Sequence, residues 1–105
     1  MKKYNPLPDN LTIKKSKIHG LGLFASKSIK SNTNLGLSHK RLKTPVEGEY
    51  ELFRTPLGGF INHSEEPNCQ LIETLDNLFL HTMLDIKRGE ELTLKYQWYK
   101  VGEEE

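Results

Sequence analysis

Apolar residues in this chain do not recur at helical spacing over any long stretch. They come in short alternating runs cut by glycine, proline and Asx residues, and that punctuation is what most limits the fold. Leu11-Thr12-Ile13-Lys14-Lys15 alternates apolar and polar side chains and predicts a strand. Ser16 to Gly22 is a glycine-containing loop, and Leu23-Phe24-Ala25 returns as a second short strand. Ile29 to Thr33 reads as a turn and Leu35-Gly36-Leu37 as a third strand. Between 38 and 58 the pattern is least readable. Pro45 and Gly48 break any long element there, and Glu49 to Phe53 fits either one helical turn or a short strand. Gln70 to Leu75 and Leu78 to Ile86 predict a hairpin joined by Asp76-Asn77 in a primed turn. Leu78, Leu80, Leu84 and Ile86 would share one face of its second strand, with Phe79, His81, Met83 and Asp85 on the other. Lys87-Arg88-Gly89 is a further turn, and Glu91 to Tyr96 a last strand. Many short strands without an amphipathic helix predict a mainly β domain.

A length of 105 residues allows one domain with one modest core. The natural division is an N-terminal arm over 1–10, a domain over 11–101 and an acidic tail over 102–105. One cysteine, Cys69, excludes an internal disulfide and a multi-cysteine zinc site. It suits a reducing, intracellular setting. No run approaches the roughly 20 apolar residues of a membrane span, so a soluble protein is expected. A net charge of +1 argues against generic nucleic-acid binding. Charge is nevertheless uneven. Residues 1–50 hold ten Lys/Arg against three Asp/Glu, and residues 51–105 hold five against eleven. That asymmetry suggests a basic and an acidic face.

The densest chemistry lies in Gly59-Phe60-Ile61-Asn62-His63-Ser64-Glu65-Glu66-Pro67-Asn68-Cys69. Its apolar start suits a buried strand. Asn62, His63, Ser64 and Asn68 then crowd together side chains that can serve the loop's own backbone or a ligand. Phe-Ile-Asn-His-Ser-x-x-Pro-Asn-Cys resembles the third signature of SET-domain protein lysine methyltransferases. Ile18-His19-Gly20-Leu21-Gly22-Leu23-Phe24-Ala25 is similar to that family's first signature, and Ile86 to Tyr96 to its last. The three stand in the family's order and span nearly the whole chain. The length and the Trp98-Tyr99 pair resemble the single-domain viral SET proteins most.

The resemblance implies a β-clip of small curved sheets whose C-terminal segment threads beneath the Asn-His connection as a pseudoknot. It implies methyl transfer from S-adenosylmethionine to a protein lysine, with histones among the possible targets and no metal. His19, Gly20, Leu21, Gly22, Asn62, His63, Tyr96 and Trp98 would hold the cofactor. The Tyr96 hydroxyl would sit at the transfer point, where oxygen atoms can stabilise a passing methyl. Tyr50, Phe53 and Tyr99 would wall the lysine channel, since aromatic faces suit an ammonium group. The acidic bias of 51–105 suggests a basic peptide partner, with Glu65, Glu66, Glu73, Glu90 and Glu91 as groove charges.

Several positions depart from the family pattern. Its Tyr-x-Gly signature would fall on Ser38 and Lys40, the Asp before its last Tyr on Lys95, and a frequent Cys on Glu65. No cysteine cluster follows Tyr96 to build the family's zinc lid. Trp98-Tyr99, the N-terminal arm or a second copy of the chain in a homodimer would have to close the channel instead. The alternative reading is a SET-like module that binds a peptide or protein without turnover. A metal site built from His19, His39, His63 and His81 is a poor third, because no pair has the close spacing that brings ligands together.

Overall fold

A computed structural model describes residues 7–95. Tyr96, Trp98, Tyr99 and the acidic tail lie outside the described residues. The fold is mainly β. Strands β1 (Leu11–Lys15) and β2 (Leu21–Ala25) form an antiparallel pair. Four more strands form the largest sheet: β3 (Asn34–Lys43), β4 (Tyr50–Arg54), β6 (Cys69–Glu73) and β7 (Asn77–Thr82), in the order β4-β3-β7-β6. A one-turn helix, α1 (Pro56–Gly59), leads to β5 (Asn62–His63), which pairs in parallel with β8 (Thr93–Leu94). None of the described helices is long and apolar enough to cross a membrane.

Leu11, Leu23, Ala25, Ile29, Leu35, Leu57, Ile61, Cys69, Leu80, Ile86, Leu92 and Leu94 form one buried cluster. It draws on nearly every element, so the small sheets are held together by a shared interior. Leu7 packs against it from outside. Asp9 and Asn10 accept hydrogen bonds from Ser26, so the end of the predicted N-terminal arm is tied down. Ile29 and Ile86 exchange two backbone bonds of 2.8 and 2.7 Å, closing the strand-to-strand connections into the same body.

The middle of the chain differs from expectation. The third strand runs for ten residues. Register shifts between Asn34 and Gly36 and between Leu37 and His39 break its period of two. Ser38 and His39 both turn inward and are fully buried as a result. Residues 50–54 are a strand, which resolves the ambiguity at Glu49 to Phe53. Helix α1 was not predicted. Thr55 caps it, donating its hydroxyl to the Leu37 carbonyl at 2.6 Å while accepting from Gly58 N. Gly58 is required by contact: a Cβ there would lie 2.4 Å from the Ser38 carbonyl oxygen.

The hairpin over 69–82 is present, but its details change. Glu73 pairs with Leu78, and Thr74 N donates to Asn77 O, so the tip is Leu75-Asp76. A primed turn needs positive φ at its first central residue, and Asn32 is the one described non-glycine with positive φ. The predicted primed turn at Asp76-Asn77 is therefore wrong. Strand β7 ends at Thr82, which leaves Leu84 exposed while Leu78 and Leu80 are buried. The predicted strand over 91–96 shrinks to Thr93–Leu94, with Glu91 making an isolated bridge to Phe24.

Candidate functional site

The 59–69 stretch spends much of its polarity on holding the segment 91–94. Asn68 donates its amide nitrogen to the Glu91 carbonyl at 2.9 Å and accepts from Thr93 N at 2.9 Å. Ser64 N donates to the Leu94 carbonyl at 2.8 Å. These bonds place β8 beside Asn62 and His63, in register Asn62 with Thr93 and His63 with Leu94. Lys95, the last described residue, thus follows a strand paired with the Asn-His connection. The path beyond Lys95, including the expected pseudoknot, lies outside the described residues.

Asn62 joins this connection to the first loop. Its Nδ2 donates to the His19 carbonyl at 3.1 Å, the Leu21 carbonyl at 3.2 Å and Glu91 Oε2 at 2.8 Å. His19, Leu21 and Asn62, predicted from separate motifs, are thus brought into contact. The resemblance assigns His19, Gly20 and Leu21 to the cofactor. Here His19 O and Leu21 O accept from Asn62, and Gly20 O accepts from Ser16 N at 2.8 Å. Glu91 sits at the centre of the junction. Both of its carboxylate oxygens lie 2.8 Å from Ser16 Oγ, and a Cβ on Gly22 would lie 2.2 Å from Oε2. Glycine at 22 therefore makes room for the carboxylate. Sequence reasoning had given Glu91 only a groove charge and had no role for Ser16.

The His63 ring is half-buried, with Nε2 at 2.7 Å from Glu65 Oε2. Lys95 Nζ lies 3.4 Å from Glu65 Oε1. The hydrogen bonds from His63 and Lys95 hold the Glu65 carboxyl below its usual range. Other predicted groove charges are also engaged within the chain. Glu73 pairs with Arg41, and Glu90 Oε1 accepts from Lys87 N at 2.6 Å. Cys69, at the end of the stretch, is buried, and that burial pushes its thiol up to about 12. It is therefore not a nucleophile at neutral pH.

The channel candidates lie elsewhere. Tyr50 and Phe53 stand exposed on β4, at an edge of the four-stranded sheet. Tyr50 lies opposite Lys43 and Phe53 opposite Lys40. A spacing of three puts them on opposite faces of the strand, so one of the two at most can line a given channel from β4. Tyr50 also borders a groove of about 310 Å³ beside the β3–β4 turn. Tyr99, the third candidate, lies outside the described residues, as do Tyr96 and Trp98.

Comparison with known proteins identifies the architecture. The SET domain family model matches residues 46–97. The histone-lysine N-methyltransferase ASHH2 of Arabidopsis thaliana is 43% identical over 49 residues, covering 43% of this chain and 3% of the relative. The chain thus spans about 3% of the length of that curated relative. A crystal structure of a Plasmodium falciparum protein assigned as a histone methyltransferase superposes with a TM-score of 0.69 at 22% identity, covering 89% of this chain and 99% of the other. The methyltransferase domain of human PR domain-containing protein 2 gives 0.66 at 18% identity, covering 84% and 77%. At such identities these two structures establish the fold. With the match over 46–97 and the junction of the Asn62 connection with the Gly20–Gly22 loop, the chain belongs to the SET-domain family.

Proposed function

We propose that the chain is an S-adenosylmethionine-dependent protein-lysine N-methyltransferase domain. The observation that carries this reading is the docking of the Asn62 amide on the His19 and Leu21 carbonyls, which unites two motifs 41 to 43 residues apart. The junction fits the amino-acid end of such a cofactor. Asn62 Oδ1 has no partner among the described residues, and a Cβ on Gly20 would meet nothing within 4 Å, so there is room beside Gly20. When bound, the cofactor supplies an electrophilic methyl group on a sulfonium. The chain's part is to orient it against a neutral lysine amine in a dry channel. Asn62, His63 and the His19–Gly22 loop are the proposed cofactor contacts, with Trp98 beyond β8. Tyr96 is the proposed catalytic residue. Tyr99 and one of Tyr50 and Phe53 are the proposed channel walls. Histone tails are a natural first substrate to try, given the names of the relatives.

Calorimetry with S-adenosylmethionine, followed by methyl transfer to a lysine-peptide array, tests the reading. Asn62→Ala should weaken cofactor binding by about 1–3 kcal/mol through a lost desolvated hydrogen bond. Tyr96→Phe should keep cofactor and peptide binding and lower the rate constant by roughly tenfold to a thousandfold. Wild-type turnover in that variant would leave Tyr96 a packing residue. One observation favours the second reading, peptide binding without turnover. Ser38, where the family's Tyr-x-Gly begins, is fully buried and bonded at 2.8 Å to the His39 ring, so it offers no hydroxyl to a channel. A protein that binds cofactor yet methylates no lysine substrate would decide for it.

A further inference from the structure

We propose that Glu91 is a positioning residue that, together with the His19 and Leu21 carbonyls, fixes which end of the Asn62 amide faces a ligand. The two ends of a carboxamide have nearly the same shape, so only their hydrogen-bond partners choose between them. Around Asn62 those partners are the Glu91 carboxylate and two backbone carbonyls, at 2.8, 3.1 and 3.2 Å. All three are acceptors. The reversed amide would press its oxygen against three oxygens, one of them charged. The nitrogen therefore points inward, and the oxygen is left for the open side. Glu91 contributes the charged member of the set, and its bond is the shortest of the three.

Glu91 is itself oriented. The Ser16 hydroxyl lies 2.8 Å from both carboxylate oxygens. Ser16 Oγ in turn accepts from Ile18 N at 2.8 Å and His19 N at 3.3 Å, which ties it to the loop. Gly22 leaves no side chain in the way. A relay thus runs from the loop through Ser16 and Glu91 to Asn62, drawn from positions 75 and 29 residues apart. Its output is one amide oxygen, without a partner among the described residues, beside a carboxylate. That pole accepts hydrogen bonds and favours positive charge, so it selects a ligand end bearing an ammonium group. This inference rests on the proposed cofactor reading and adds its means of selecting the ammonium end.

The test uses the whole chain and Glu91→Gln, with Ser16→Ala as a second variant that keeps the carboxylate but removes its anchor. In the ligand-free protein, NMR of the Asn62 side-chain amide should show protected protons in the wild type. In both variants those protons should move towards the values of a free asparagine. Unchanged Asn62 protons would overturn the proposal. Binding is then compared for S-adenosylmethionine and for its analogue lacking the α-amino group. Glu91→Gln should weaken the first about tenfold and the second less than about twofold. Equal losses for both ligands would make Glu91 merely structural and overturn the proposal. If the wild type binds neither ligand, the cofactor reading fails while the amide spectra still decide the role of Glu91. If Glu91→Gln does not fold, Ser16→Ala is read in its place, with a smaller loss of the same ligand preference.

Discussion

The junction around Glu91 and the hairpin of β3 and β4 use polar and apolar residues in opposite ways. At the junction, Ser16, Asn62, Asn68 and Glu91 are hydrogen-bonded across the chain to positions at least 23 residues away. In the hairpin, Leu42, Val46, Tyr50 and Phe53 stand exposed, and the turn is closed by local bonds among Thr44, Val46 and Glu49. One region buys a fixed geometry with polar groups that pattern reasoning assigns to the surface. The other leaves apolar surface where a packed strand would be expected to bury it. Rigidity and exposure are thus separated in space: the proposed cofactor end sits on the first, and Tyr50 and Phe53 sit on the second.

The comparison predicts unequal responses to mutation. Asn68→Ala removes both amide bonds that hold the backbone at Glu91 and Thr93, so it should cost about 2–4 kcal/mol in urea unfolding. A loss below about 1 kcal/mol would mean that packing and the pairing with β5 suffice to hold β8. His39 lies where the hairpin enters the core, buried and paired in register with Arg54. Burial first, then the Arg54 charge, lowers its pKa from 6.5 to about 4. Its neutral form is therefore the one that folds. Stability should be fully present above about pH 6.5 and fall by up to about 3 kcal/mol as pH drops towards 4. Unfolding midpoints across that window, against His39→Gln as the control, measure the slope. A wild type with no slope beyond the control would show that His39 protonates without cost.

The smallest effect belongs to the hairpin surface. Phe53→Ser and Leu42→Ser should change stability by no more than about 0.5 kcal/mol, because neither residue is buried. A larger loss would reveal packing by residues outside 7–95. The same variants sharpen the site assignment. Phe53→Ser should raise the peptide KM if that face lines the channel, and leave it unchanged if Tyr50 does.

The first strand was legible because Leu11 and Ile13 alternate with polar neighbours, and the 69–82 hairpin because two such runs meet at a short tip. The third strand was legible only at its start. Its two register shifts put Ser38 and His39 inside together, which no alternation rule anticipates. Helix α1 is Pro-Leu-Gly-Gly, too short for a helical period and poor in helix formers. At the site, Asn62 and the Gly20–Gly22 loop were legible through their motifs. Glu91 was not, because its partners Ser16 and Asn62 are remote in sequence and a Glu-Glu pair followed by Lys95 looks like solvated surface.

The parallel pairing of β5 with β8 has a consequence for how the protein is made. A chain emerging from the ribosome can form the β1–β2 pair and the β6–β7 hairpin from segments close in sequence. It cannot satisfy the Asn68 amide until Thr93 has been added, or Ser64 N until Leu94 has been added. Until then the Asn-His connection has no complete strand beside it, and before Glu91 is added Asn62 lacks its carboxylate. The pole proposed to grip the ligand is thus assembled last, and a nascent chain stalled before Glu91 would lack both that grip and the core side chains Leu92 and Leu94.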